Sequence, residues 1–178
     1  DLNGDGLLDL AKSYCSGSPQ LCYEQPNRIE KKVWINNGKG WIENNNWQLP
    51  DIPFALGLDN RELPGSVIAD INGDGFSDIV QMFARNIGHS SEFSIKKVYL
   101  NNGKVFIDYS NNWVFPENVS DYLSNPWDSG VRLLDLNGDG LLDLAKSYCN
   151  NSPRTCFEQP NRIEKKVWIN NGQGWIEN

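Results

Sequence analysis

Three short loops of this chain carry the residues best suited to binding a ligand, and all three follow the pattern D-x-N-G-D-G-x-x-D. The oxygens of their carboxylate and amide groups suit calcium, a hard cation that takes six to eight oxygen ligands. Glycines at positions four and six let the backbone curl, so that the side chains at positions one, three and five can face one centre. Position seven offers its backbone carbonyl, and the Asp at position nine closes the shell. The predicted calcium ligands are Asp1, Asn3, Asp5, Leu7 and Asp9 in the first loop, Asp70, Asn72, Asp74, Phe76 and Asp78 in the second, and Asp135, Asn137, Asp139, Leu141 and Asp143 in the third.

Alternative interpretations of these loops fit the sequence less well. An EF-hand loop needs a Glu at position twelve, where this chain has Lys12, Gln81 and Lys146. Magnesium prefers tighter octahedral sites that retain water, so it is the weaker candidate. A metal-free turn is the structural alternative, but three clustered carboxylates would then repel one another without compensation. We therefore expect three calcium ions, one per loop.

The same carboxylates do not resemble a catalytic pair. General acid–base chemistry needs carboxyl groups in different environments, whereas these recur as equivalents in every loop. The chain has one histidine, His89, which we interpret as a solvated loop residue, and it contains no G-x-S-x-G motif, Cys/His dyad or phosphate-binding loop. The sequence therefore predicts a protein that is not an enzyme.

Four cysteines form two local pairs with one spacing, Cys15 with Cys22 and Cys149 with Cys156. Reduced pairs and a C-x6-C metal site are the alternatives, but zinc sites use tighter spacings. We favour two disulfides, which indicate an oxidising compartment. Two glycosylation sequons, at Asn118 and Asn150, agree with an extracellular, secreted or cell-surface location.

An internal repeat organises the whole chain. Residues 1–44 and 135–178 differ at only six of 44 positions, and a more diverged copy begins at Asp70. Repeats of this length are stacked supersecondary units that cannot bury their apolar faces alone. The predicted repeats are 1–64, truncated at its N-terminal end, the Cys-less 65–129, and 130–178, truncated at its C-terminal end.

Each repeat has the pattern of four short strands. One apolar stretch precedes the Asp loop, a second follows it, and an Asn-Asn-Gly turn separates the third strand from a fourth that begins at Trp41, Phe106 or Trp175. Aromatic residues at fixed strand positions are typical of packing between units. We predict an all-β fold of tandem four-stranded β-propeller-type blades. Because a closed propeller takes about four to eight blades, the chain is expected to be a segment of a larger propeller or repeat array.

Composition excludes two classes of partner. The net charge of −7 argues against nucleic acid, and nine of the 23 acidic residues lie in the three loops, where three divalent cations would offset most of the excess charge. No stretch approaches the roughly 20 apolar residues of a membrane span. The chain opens inside a motif at Asp1, so the absence of a signal peptide says nothing about export.

The three loops, each followed by a strand and then by Trp34-Ile35-Asn36-Asn37-Gly38-Lys39-Gly40-Trp41 or its counterpart, resemble the FG-GAP/VCBS repeat family. That family builds the β-propeller of integrin α-subunits and propellers of secreted microbial proteins, so the resemblance implies calcium bound by the Asp and Asn residues of each loop. It also implies an adhesion, recognition or scaffold module whose partners are other blades of a longer chain, copies of itself, or a protein or glycan ligand. Two alternatives stay open: a lectin-like propeller that uses Trp127, and the accessory part of a larger enzyme or toxin.

Overall fold

The computed structural model describes residues 1–17, 19–56, 66–86, 92–116, 130–149 and 153–178. Over these residues the chain is mostly β, with three four-stranded sheets and two short α-helices. The strands are β1 (Leu10–Cys15), β2 (Ile29–Asn36), β3 (Trp41–Glu43), β4 (Ala55–Leu56), β5 (Ser66–Ala69), β6 (Asp78–Asn86), β7 (Glu92–Asn101), β8 (Phe106–Asp108), β9 (Val131–Leu134), β10 (Asp143–Cys149), β11 (Ile163–Asn170) and β12 (Trp175–Glu177). The helices are α1 (Pro19–Glu24) and α2 (Pro153–Glu158), followed by single 3-10 turns at Pro26–Arg28 and Pro160–Arg162.

The described chain divides into two compact units. The first consists of Asp1–Asp70, Asp74–Phe83 and Ile95–Ser110, and the second of Ile71–Gly73, Ala84–Ser94 and Asn111–Asn178. Each of the three sheets falls inside one of the repeats that the sequence indicates. Across the described ranges, no helix is both long and apolar enough to cross a membrane.

The first sheet, in the first unit, has the strand order β3-β2-β1-β4. β1 and β2 pair antiparallel from Leu10 opposite Trp34 to Cys15 opposite Ile29, and β3 continues the meander after the Asn-Asn-Gly turn, where Gly38 has a φ of 80°. The sequence did not indicate β4. This two-residue strand runs parallel to β1 and pairs only with its end, at Tyr14 and Cys15.

The second sheet has the order β5-β6-β7-β8, and it supplies part of the core of the first unit. Side chains alternate between the faces of a strand, so every second residue of β2 and β6 can enter that core. The core is a cluster of buried aliphatic residues surrounded by partly buried aromatic residues, among them Tyr23, Trp47, Tyr99 and Phe106. The buried members are Leu2, Val33, Leu49, Ile52 and Ile79.

The third sheet lies in the second unit and has the order β12-β11-β10-β9. β9 pairs antiparallel with β10 from Leu134 opposite Asp143 to Val131 opposite Lys146. The indole of Trp175 is only 8% exposed and sits against Trp113, at a centroid distance of 5.0 Å, and Phe115, at 4.9 Å. Aromatic packing therefore closes one side of this sheet.

Both cysteine pairs are disulfide-bonded within their own repeats, Cys15 to Cys22 and Cys149 to Cys156, each with a Cα–Cα distance of 6.1 Å. These are the pairs that the spacing favoured, and such bonds agree with an extracellular location. No sustained helical period is present in the sequence, yet each disulfide joins the end of a strand to a six-residue helix. A proline at the first helical position suits that start, because its missing N–H and fixed φ cost nothing there.

Candidate metal centre

The Asp loops owe their shape to two glycines with left-handed backbone conformations. In the first loop Gly4 has a φ of 76° and Gly6 a φ of 84°, and the third loop repeats these values closely. Residues with a Cβ rarely adopt such angles. At Gly4 there is a second constraint, because an added Cβ would lie 2.6 Å from the ring of Phe76. The side chain at position seven of the next loop therefore packs on the glycine at position four.

The Asp at position one holds the curled backbone from inside. In the first loop, Asp1 Oδ1 accepts a hydrogen bond from the Gly4 amide at 2.7 Å and Oδ2 accepts one from the Gly6 amide at 2.7 Å. Asp135 accepts the equivalent bonds at 2.7 and 2.9 Å. In the second loop, Asp70 Oδ2 accepts from the Gly75 amide at 2.8 Å. One carboxylate thus organises each turn.

Positions three and five form a second set of bonds. The side-chain Oδ1 of Asn3 accepts from the Asp5 amide at 3.1 Å, and its Nδ2 donates to Asp5 Oδ2 at 2.9 Å. Asp5 Oδ1 accepts from the Leu7 amide at 2.8 Å. Asn137 and Asp139 repeat this arrangement. The carboxylate at position five is exposed to solvent in each loop.

The Asp at position nine faces into the sheet. Asp143 is fully buried, with Oδ2 accepting from the Leu136 amide at 2.9 Å and Oδ1 accepting from the Asn170 amide at 2.7 Å. Asp9 makes the same two bonds with Leu2 and Asn36, at 2.8 Å each. Asp78 is fully buried and accepts from the Asn101 amide at 2.7 Å. This carboxylate connects the loop to the third strand of its sheet.

A recurring asparagine binds the backbone of the preceding Asp loop, although its place in an Asn-Asn-Gly motif predicts only a turn. In the second unit, the buried Asn170 side chain donates to the Ile71 carbonyl at 2.7 Å and accepts from the Gly172 amide at 2.8 Å. In the first unit, Asn101 donates in the same way to the Leu2 carbonyl at 2.8 Å. The sequence contains a sign of this hydrogen bond, because an Asn ends the third strand of every repeat. Since an Asn at that place is also typical of a turn, the pattern did not lead us to predict the contact.

The donor set of the loops fits calcium in its chemistry, since positions one, three and five present only hard oxygen ligands apart from the Asn amide nitrogen. In the described ranges, however, no three His, Cys, Asp or Glu side chains are gathered so that they could hold a metal. One reason is that the carboxylate at position nine is directed away from the other acidic groups, since Asp9 accepts hydrogen bonds from the amides of Leu2 and Asn36. A cation in this arrangement would be held by Asp1, Asn3 and Asp5, and position nine could join only through its remaining lone pairs.

Several residues singled out from the sequence lie outside the described residues. These are the sequon residues Asn118 and Asn150, the loop residue Trp127 and the histidine His89. The glycosylation and lectin hypotheses therefore stay predictions. Among the aromatic residues at fixed strand positions, Trp168 is 2% exposed and Phe106 lies 6.1 Å from Trp47 between ring centroids, whereas Trp41 is 54% exposed.

Comparisons with known proteins give a partial similarity. No protein-family model matches the chain. The chain is similar to a protein of Plasmodium falciparum (isolate 3D7) named T-cell immunomodulatory protein homolog, with 30% identity over 182 residues. The similarity covers 94% of this chain and 22% of the relative, so the chain spans about a fifth of that protein's length.

Proposed function

We propose that this chain is an extracellular, calcium-stabilised FG-GAP/VCBS-type repeat module that serves adhesion, recognition or structural assembly and catalyses no reaction. In this proposal its three sheets are propeller-type blades of a ring or an open array. Their neighbours are other blades of a longer chain or copies of the chain itself.

The observation that carries the proposal is the recurrence of one loop architecture ahead of the second strand of every repeat. In each loop the first Asp accepts from the glycine amide at position six, and the Asp at position five accepts from the amide at position seven. Each loop thus presents carboxylate or amide oxygens at positions one, three and five, and this is a donor set that suits calcium. Bound calcium would neutralise these carboxylates and fix the curled loop through Asp1, Asn3 and Asp5, their equivalents in the other loops, and the carbonyl at position seven.

The carboxylates also have a structural use that supports a non-enzymatic role. Positions one and nine accept several backbone hydrogen bonds each, as Asp1 and Asp143 illustrate. A general acid or base must exchange a proton with a substrate, and a carboxylate held by backbone amides is poorly suited to that task.

The test is thermal unfolding in calcium and in chelator. At extracellular-type affinities of about 10⁻⁴–10⁻³ M, roughly 10 mM calcium should stabilise each occupied site by about 1.4–2.7 kcal/mol. The melting temperature of the chain should therefore rise in calcium and fall in excess chelator. Identical melting curves in the two conditions would contradict the proposal.

A matched pair of variants separates calcium binding from loop folding. The triple change Asp5→Asn, Asp74→Asn and Asp139→Asn keeps an oxygen that can accept the amide hydrogen bond of position seven, but removes the charge that calcium needs. Calcium should no longer raise its melting temperature, while its melting temperature in chelator should be close to that of the parent. The control removes three carboxylates outside the loops, through Glu30→Gln, Asp51→Asn and Asp108→Asn, which end the ion pairs with Lys12, Lys31 and Lys97. That control should keep the full response to calcium.

A further inference from the structure

The first and third repeats have the same residues in different surroundings. The first fifteen residues of the chain recur unchanged from Asp135 onwards. Nevertheless Leu10 is 46% exposed while its counterpart Leu144 is 1% exposed, and Trp41 is 54% exposed while Trp175 is 8% exposed. Because the residues are the same, the difference must come from what packs against them.

In the second unit, the edge of β10 is covered by a strand. The Gly130 carbonyl accepts from the Ser147 amide at 3.0 Å, and β9 then pairs along β10 as far as Asp143. The chain runs from Leu134 straight into Asp135, so this strand leads directly into the third Asp loop. The strand that covers the edge of β10 and the third Asp loop are thus consecutive in the chain.

The aromatic face of the third repeat is covered by two side chains from the segment after β8. Trp113, 3% exposed, meets the Trp175 indole at 76°, and Phe115, 5% exposed, stacks on it at 26°. The Trp175 Nε1 donates to the Leu142 carbonyl at 2.8 Å. Trp41 makes the same bond to the Leu8 carbonyl, at 3.0 Å. Both indoles are therefore fixed in the same way, and only one is covered.

The first unit presents the same surface without those covers. Among the described residues, Leu10–Lys12 pair with β2 on one side and with no strand on the other, since β4 meets β1 only at Tyr14 and Cys15. Leu8 is 75% exposed beside this edge. An open strand edge next to exposed apolar side chains is a typical binding surface for an added strand.

We propose that this surface, formed by the Leu10–Lys12 edge, Leu8 and Trp41, docks one more copy of residues 66–134, which comprise the Cys-less repeat and the strand β9 that follows it. The last strand of that copy would pair with β1 as Val131–Leu134 pairs with β10, and it would run directly into Asp1. Its counterparts of Trp113 and Phe115 would cover Trp41. This assignment rests on the repeat-array part of the proposed function, and it makes Cys-less repeats alternate with disulfide-bonded ones.

A second copy of this chain is a poorer occupant, because its uncovered end belongs to a repeat of the other kind. There Leu136 is 44% exposed and Phe157 is 87% exposed, whereas in the first repeat the counterpart of Leu136 is buried against the second sheet. The two uncovered surfaces both belong to disulfide-bonded repeats. Elsewhere in the chain, the apolar counterparts of these surfaces are covered by residues of the Cys-less repeat, and the strand edge is covered by β9, which follows that repeat directly.

The test is a longer chain in which a copy of residues 66–134 is placed directly ahead of Asp1. Hydroxyl-radical footprinting with fragment mass spectrometry would then measure the oxidation rate of Trp41 separately from that of Trp175. In the 178-residue chain Trp41 should react faster by about sevenfold, the ratio of the exposed fractions 54% and 8%. In the longer chain the two rates should become equal. An unchanged Trp41 rate would overturn the assignment.

The matched control carries Trp113→Ala and Phe115→Ala in the added copy only, and it should restore most of the Trp41 oxidation. A shorter addition, residues 130–134 ahead of Asp1, tests the strand alone if the longer chain misfolds. It should slow amide hydrogen exchange at Ala11, whose counterpart Ala145 faces β9, by about tenfold or more. Unaltered exchange there would count against the docking of a strand.

Two further measurements distinguish docking of a repeat from self-association and from calcium binding. If light scattering shows that the 178-residue chain self-associates and Trp41 is protected in that assembly, a second copy is the occupant and the assignment is wrong. The footprinting is repeated in excess chelator with the triple Asp→Asn variant. Protection of Trp41 that persists there would leave the docking intact even if the calcium proposal fails.

Discussion

The first and third Asp loops are identical in sequence and nearly identical inside, but they differ in what surrounds them. Asp1 and Asp135 accept the same backbone bonds at nearly the same distances. The apolar side chain at position two differs in burial, since Leu2 is 5% exposed and Leu136 is 44% exposed. The backbone bonds of the loop are therefore set by its own residues, whereas the burial of its position-two side chain is set by the neighbouring repeat.

The largest difference is expected between Trp175→Ala and Trp41→Ala. Both changes remove an indole that donates to a backbone carbonyl, so that loss is common to the pair. Trp175 in addition loses its packing with Trp113 and Phe115, and such truncations cost about 3–5 kcal/mol in a core. Trp41→Ala should cost about 1 kcal/mol, the net contribution of one hydrogen bond. Chemical denaturation measures both values, and equal losses would show that exposure does not distinguish the two repeats.

A smaller difference is expected between Asp143→Ala and Asp9→Ala. Each change orphans two backbone amides, but the Asn170 amide is buried whereas the Asn36 amide is only partly buried. An unpaired buried donor costs about 1–3 kcal/mol, and water can replace a lost partner at an accessible one. We expect about 3 kcal/mol for Asp143→Ala and about 1 kcal/mol for Asp9→Ala in the absence of calcium, measured by urea unfolding. An equal loss of unfolding free energy for Asp9→Ala would contradict the expectation that water can replace the lost partner at the Asn36 amide.

The smallest of these effects concerns position 23 and its counterpart. The Tyr23 hydroxyl donates to the buried Gln81 Oε1, and burial raises the pKa of Tyr23 well above its ordinary value, which keeps the hydroxyl a donor. Tyr23→Phe leaves Gln81 Oε1 without that partner and should cost about 1–2 kcal/mol. The reciprocal change, Phe157→Tyr, lies on a side chain that is 87% exposed and should be close to neutral. Urea unfolding of the two variants checks this, and a neutral Tyr23→Phe would show that the bond contributes nothing to stability.

Much of the fold could be read from the sequence because it is locally encoded. The Asp loops, the strands that flank them and the Asn-Asn-Gly turns depend on residues close together in the chain. Both disulfides close loops of equal spacing, so Cys15 with Cys22 was a local inference as well. Each of these loop, strand and turn patterns occurs three times in the chain, and this repetition made the prediction of each one more secure.

The features that the sequence did not indicate depend on distant partners. β4 exists because Ala55 and Leu56 meet the end of β1, and nothing in a two-residue stretch announces that pairing. The role of Asn170 needs the Ile71 carbonyl, 99 residues away. The exposure of Trp41 cannot be predicted from its neighbours in the sequence, because nearly the same residues surround Trp175, which is buried. The predicted metal ligands depend on both local and distant residues. They lie close together in the chain, but the hydrogen bond of the Asp9 carboxylate with the Asn36 amide joins residues far apart in it.

Calcium stoichiometry is the decisive measurement for the three Asp loops. Equilibrium dialysis at about 10 mM calcium, with the bound metal counted by atomic absorption, should give close to three ions per chain for the parent and close to two for Asp139→Asn. That variant keeps the amide hydrogen bond of Leu141, so its loop can fold without the metal. No bound calcium in the parent, or three ions still bound by Asp139→Asn, would contradict the proposed calcium-stabilised repeat.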